Sequence, residues 1–157
     1  MTSKRQDLIA AVGDAVQRFQ EATEAFDDVA AVKLGLNRTD LKCASIIARL
    51  EPVSIGEIGR GAGLTRGAMT TALDRIEGAG YARRLRHPND RRGVLVELTE
   101  KGRKAVDAIW GEYIRQADAF FVGYSVEELK SILRFLNQAC EAQQQNMTRV
   151  QKLARKW

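Results

Sequence analysis

At 157 residues the chain suits one domain, or one domain with a dimerisation extension. An apolar content of 45% is ordinary for a soluble protein, and there is no low-complexity tract or internal repeat. The formal charge of +5 favours polyanionic partners over acidic ones.

The apolar run after Lys4 and Arg5 is broken at Asp14, which makes it too short for a signal-peptide core or a membrane span. Leu8, Ile9, Val12, Val16, Phe19, Phe26 and Val29 recur at helical spacing and predict a long first helix ending near Gly35. Glu21, Glu24, Asp27 and Asp28 make one segment of it acidic. After a break at 37–39, Thr39 is expected to cap a second helix with Leu41, Ala44, Ile47, Ala48 and Leu50 on its apolar face. Glu51 and Pro52 stop that helix. Ser54 and Glu57 fit a capping box for a short third helix, and Gly61 with Gly63 supplies the turn after it.

Thr65 then caps a fourth helix. Met69, Ala72, Leu73 and Ile76 face inward on it, and Arg66, Gly67, Ala68, Thr70, Thr71, Asp74 and Arg75 face out. Gly78 and Gly80 end it. Two strands, 81–86 and 93–98, read as a hairpin with His87 to Arg92 at its tip. Thr99 caps a fifth helix whose apolar face runs from Val106 through Ile109, Trp110, Tyr113, Ile114 and Ala117 to Phe120 and Phe121, closed by Gly123. A second capping box, Ser125 and Glu128, opens a last helix carrying Leu129, Ile132, Leu133, Leu136 and Cys140, then Met147, Val150 and Leu153.

Two short helices joined by a glycine turn, with an arginine-tipped hairpin after them, fit duplex DNA. A major groove admits a helix and offers readable base edges, usually met by the helix's N-terminal residues. Those residues here are Thr65, Arg66, Gly67 and Ala68. Arg66 reaches a guanine edge or a phosphate, and the small Gly67 and Ala68 allow close backbone approach. Thr70 and Thr71 bond phosphates or touch a thymine methyl, and Arg75 meets backbone further along. On the hairpin, Arg86, Arg91 and Arg92 are the remaining expected contacts, with the tip pair suited to a narrow minor groove. Asp90 is expected to hold the tip in shape by pairing with an arginine.

No carboxylate pair, Ser/His or Cys/His arrangement, or phosphate loop points to catalysis. One histidine and two cysteines without CxxC spacing do not make a four-ligand zinc site, so neither metal nor cofactor is expected. With no export signal, the expected location is the cytoplasm, with reduced thiols. The apolar faces of the terminal helices need cover, which a second protomer would supply.

The stretch GLTRGAMTTALDRIEGAGYARRLRHPNDRRGVLVELTEKGR resembles the MarR family of winged-helix transcriptional regulators. The motif pieces are Asp74-Arg75-Ile76-Glu77, Gly80, the run from His87 to Arg92, and Leu98-Thr99-Glu100-Lys101-Gly102. His87 stands where the family usually has Asp, and Thr71 where Arg is frequent. The expected fold class is mainly α with a small β-hairpin wing: a winged helix-turn-helix with N- and C-terminal dimerisation helices. The expected division is 1–36 for the N-terminal dimerisation helix, 37–98 for the DNA-binding domain and 99–157 for the C-terminal dimerisation helices. The resemblance implies a homodimer on double-stranded DNA, at a pseudo-palindromic operator. It also implies a regulator, mostly a repressor, released by a small aromatic or phenolic effector.

A ligand pocket is expected among the first, second and fifth helices. Phe19, Phe26, Ile47, Trp110 and Ile114 would form its walls, with Arg38 or Arg49 for a carboxylate. Two alternatives remain: a redox-responsive regulator using Cys43, and a winged-helix protein-interaction module without specific DNA binding.

Overall fold

The structure is a computed structural model and describes residues 3–89 and 93–153. It divides into two compact units, 1–112 and 113–157.

The first unit opens with helix α1 (Lys4–Leu34), which starts at a Ser3–Gln6 capping box and ends at Gly35. Helix α2 (Arg38–Leu50) starts earlier than the spacing predicts. Asn37, not Thr39, is its cap, accepting a bond from the Asp40 amide at 2.8 Å. Asn is at least as good a cap as Thr, because its carbonyl reaches the same orphan amides. A two-residue strand β1 (Val53–Ser54) comes next and leads into helix α3 (Ile55–Ala62) through the expected Ser54–Glu57 box. The Ser54 hydroxyl and amide hold the Glu57 carboxyl below its ordinary pKa.

Helix α4 (Arg66–Gly78) is capped by Thr65 and runs to the strands β2 (Ala82–Arg86) and β3 (Val94–Leu98). All three strands form one antiparallel sheet, ordered β1-β3-β2, in which Val53 faces Val96 and Arg83 faces Glu97. The sequence pattern missed β1, since two residues after a proline carry no alternation.

The main core lies between α2, α3, α4 and the sheet. Ile47, Ile58, Ala72, Leu73, Ile76 and Val96 are fully buried there, as the inward pattern of α4 requires. Glu51 does more than end α2: its carboxylate accepts the Leu98 amide at 2.6 Å and an Arg103 guanidinium hydrogen bond at 3.3 Å. A smaller cluster joins Ala30 and Ala31 of α1 to Leu41 of α2, with Leu34, Ile109 and Trp110 packed on it.

The fifth helix is not continuous. Helix α5 (Glu100–Val106) gives way to a π-helical turn (Asp107–Gly111), then to α6 (Glu112–Arg115) and α7 (Ala117–Phe121). A π turn adds a residue to the helical repeat, which interrupts at 107–111 a face that reads as unbroken in sequence. Ile109 and Trp110 are accordingly half-buried, while Tyr113 and Ile114 are exposed.

In the second unit, helix α8 (Val126–Gln151) begins at the expected Ser125–Glu128 box. Phe120, Phe121 and Tyr124 stack edge to face before it. No helix among the described residues is long and apolar enough to cross a membrane.

Candidate nucleic-acid interface

The α3–α4 turn is built by Gly63, whose φ of +73° is one that a side chain would strain. In that conformation Gly63 and Leu64 donate to the Arg60 and Gly59 carbonyls, satisfying the end of α3. Gly61 is not part of the turn; it lies within α3 and packs against Ile46. Thr65 Oγ1 accepts the Ala68 amide at 3.3 Å and sets the start of α4.

From that start, Thr65, Arg66, Gly67, Ala68, Thr70, Thr71 and Arg75 are all exposed, while Met69, Ala72, Leu73 and Ile76 are buried. One side of α4 is thus free to meet a duplex and the other is fixed to the core. The Thr70 and Thr71 hydroxyls donate back to the Arg66 and Gly67 carbonyls, at 3.0 and 3.1 Å. With its single hydrogen used, each hydroxyl has none left for a phosphate, which favours methyl contacts. We therefore expect Thr71→Val to keep most of the affinity for a bound duplex, and Thr71→Ser to lose about 0.5–1 kcal/mol. Fluorescence anisotropy on the two variants checks this, and the reverse order would assign the contact to the hydroxyl.

Arg75 is exposed on one side and held on the other by Asp40, with Nε and Nη2 bonded to the two carboxylate oxygens at 2.7 and 2.6 Å. The hydrogen bonds and charge of Asp40 raise the Arg75 pKa further.

The hairpin arginines divide into two groups. Arg83 is paired with Glu97 across the strands, its Nε 2.8 Å from the carboxylate. Arg84 binds Glu77, and Asp74 at 2.7 Å, so it ties the wing to α4. Arg86, at the end of β2, is exposed and makes no ion pair among the described residues. Asp90, Arg91 and Arg92 lie outside the described residues.

Between α3, the start of α4 and the outer ends of the two wing strands lies an open cleft of about 620 Å³. Arg60, Arg66 and His87 line it together with Ser54, Gly56 and Gly93. His87 Nδ1 accepts the Asn89 amide at 3.2 Å, which directs its other nitrogen to act as a donor. The sequence pattern passed over Arg60. Its place in the last turn of α3, one turn before Gly63, is the signal that could have found it.

The residues expected at a ligand pocket are dispersed. Phe26 and Trp110 meet edge to face with centroids 6.0 Å apart, beside the smaller cluster. Arg38 is engaged by Asp28 at 2.7 Å and by the Glu24 carbonyl at 3.0 Å. Phe19 and Arg49 are not drawn into this group, Ile47 belongs to the main core, and Ile114 lies in the second unit. Cys43 is fully buried, 3.9 Å from the Met69 sulfur, and burial pushes its thiol pKa up, against thiolate chemistry. The charge of Lys42 pulls that pKa down by less than burial and Asp40 push it up, and the Lys42 ammonium is engaged at the Ala62 carbonyl that ends α3. Cys140 is exposed on α8. No cluster of metal-ligating side chains occurs among the described residues.

Residues 36–94, which hold this helix-turn-helix and the first wing strand, match the model of the MarR family. The chain is 33% identical over 141 residues to the HTH-type transcriptional regulator YcgE of Bacillus subtilis, covering 88% of this chain and 92% of that protein. A MarR-family regulator from Silicibacter pomeroyi superposes with a TM-score of 0.62 at 24% identity, over 88% of this chain and 94% of that one. The MarR protein of Peptoclostridium difficile gives 0.63 at 19% identity, over 96% and 97% of the two chains. These two share the fold, the family model over 36–94 names the family, and the match to the transcriptional regulator YcgE spans nearly both chains. The chain belongs to the MarR family of transcriptional regulators and carries its winged helix-turn-helix DNA-binding fold.

Proposed function

We propose that this chain is a cytoplasmic, homodimeric repressor that binds a pseudo-palindromic operator and releases it when a small aromatic or phenolic ligand binds. Regulators of this family bind DNA and act as dimers. The observation that carries the reading is the one-sided α4, backed by the core through Met69, Ala72, Leu73 and Ile76 and exposed at Thr65, Arg66, Gly67, Ala68, Thr70 and Thr71. The proposed contacts are Thr65, Arg66, Gly67, Ala68, Thr70 and Thr71 in the major groove, with Arg86, Arg91 and Arg92 on the wing. The terminal segments 1–36 and 99–157 supply the dimer contacts, and 37–98 meets the DNA. In support, α1 leaves Leu8, Ile9, Val12 and Phe19 exposed, and α8 leaves Leu133, Leu136, Met147 and Val150 exposed. Apolar side chains repeated along a helix face at this density mark an association surface.

Sedimentation with anisotropy titration against promoter fragments tests this. A dimer whose affinity falls steeply as salt rises is expected, because bound phosphates release counterions. A monomer indifferent to these fragments at low salt overturns the reading. For the effector, the Phe26–Trp110 pair is the favoured aromatic surface, with Arg38 exchanging Asp28 for the ligand's carboxylate. Salicylate as a probe should quench Trp110 fluorescence in a Trp157→Phe background and release the DNA. Unchanged fluorescence and unchanged binding would remove that ligand class.

A further inference from the structure

Among the described residues, Asp40 is the one charged residue buried in the core, 1% exposed in the first turn of α2. Both of its oxygens are taken by the side of the Arg75 guanidinium, at 2.7 and 2.6 Å. Arg75 sits in the last turns of α4, on the helix whose other end faces outward at Arg66. The next residue on α2, Leu41, packs against Ala30 and Ala31 of α1 in the smaller cluster. Adjacent residues of one helical turn therefore hold the reading helix on one side and α1 on the other.

Stability is a poor reason for this arrangement. Dehydrating a carboxylate costs several kcal/mol, and a well-packed apolar pair commonly serves a core as well or better. What the ionic pair adds is direction. A two-point fork permits one rotation of α4 about its axis and one register along α2, whereas Leu or Met contacts tolerate sliding. Base readout depends on that rotation, since it decides which side chains enter the groove.

We propose that Asp40 is a positioning residue for operator recognition, acting through Arg75 to fix the orientation of α4 against α2. The proposal rests on the DNA-binding reading above and assigns Arg75 to the protein's own architecture. A direct phosphate contact by Arg75 makes the opposite forecast, because freeing the guanidinium from Asp40 would then help binding.

The test uses the full-length protein, a duplex selected by the wild type from a randomised library, and poly(dI-dC) as the non-specific competitor. The variants are Asp40→Asn, which keeps the shape, Arg75→Lys, which keeps the charge, and the pair combined. Each single variant should weaken binding to the selected duplex by about tenfold or more, the loss expected for a charged hydrogen-bond pair. Affinity for poly(dI-dC) should stay within roughly twofold, and the salt dependence on the selected duplex should be unchanged. The double variant should be no worse than either single one, since both break the same link. Thermal melting sets a common assay temperature below every midpoint. If Asp40→Asn does not fold, Arg75→Lys decides alone.

Wild-type or better affinity in Asp40→Asn, wild-type affinity in Arg75→Lys, or an equal loss on both DNAs each overturns the proposal. A wild type that enriches no sequence overturns specific DNA recognition itself, and this role with it.

Discussion

Arg66→Glu is expected to lower affinity for a selected duplex by about 3 kcal/mol, more than a hundredfold, without destabilising the fold. Arg66 is exposed in the first turn of α4 and lines the cleft between that helix and the wing. Removing a base or phosphate contact there costs about 1–3 kcal/mol, and a carboxylate facing the DNA backbone adds repulsion of similar size. The same carboxylate suits a helix N-terminus, where an acidic side chain is worth a few tenths of a kcal/mol or more. Affinity and stability should therefore move apart, the first falling and the second holding or rising slightly. Anisotropy titration paired with thermal melting reads both. Unchanged affinity would place Arg66 outside the interface and leave the cleft's other basic side chains, Arg60 and His87, without a common target.

Gly102→Ala is expected to cost about 3–4 kcal/mol of folding stability, a large share of what holds a domain of this size. A Cβ at Gly102 would overlap the Tyr81 carbonyl oxygen, lie 3.0 Å from the Tyr81 carbonyl carbon and meet the Leu98 Cβ at 3.3 Å. These are mostly backbone atoms that cannot swing aside. The approach is so close because α5 starts directly at the base of the wing. Thr99 caps it by accepting the Gly102 amide at 3.0 Å while donating its own hydroxyl to the Gly80 carbonyl at 2.6 Å. Gly78→Ala is the control, since nothing lies within 4 Å of a Cβ there. Urea unfolding of the two variants should separate them widely. Equal midpoints would mean that the wing base and α5 are looser than this geometry requires.

Much of the central module was readable because each of its devices is local. A capping box such as Ser54–Glu57 spans three residues, and the inward set Met69, Ala72, Leu73 and Ile76 repeats within one helix. Those signals placed α3, α4 and both wing strands within a residue or two. The features that resisted reading depend on distant partners. Glu51 looks like a helix stop until β3 arrives to give it the Leu98 amide. Strand β1 exists only because Val96 stands opposite Val53. The break at 107–111 was hidden since a π turn preserves the spacing of apolar residues along the chain while rotating their directions. In the site, exposure of the Thr65–Thr71 face was legible, but the capture of Arg75 by a residue 35 positions away was not. The dispersal of the expected pocket residues, with Ile47 in the main core, Trp110 on the smaller cluster and Ile114 in the second unit, had the same cause: periodicity identifies a helix face without saying what it meets.

The pairing of Arg83 with Glu97, and of Arg84 with Asp74 and Glu77, bears on how this protein searches a genome. A guanidinium already neutralised by the protein's own carboxylates displaces few ions from a nucleic acid, so these two arginines add little to indiscriminate attraction. Loose association with bulk chromosomal DNA should accordingly be weaker than a tally of basic residues implies. Residence at the correct site then depends more on exposed cations such as Arg86 at the end of β2 and Arg66 at the start of α4, which favours discrimination over mere adhesion.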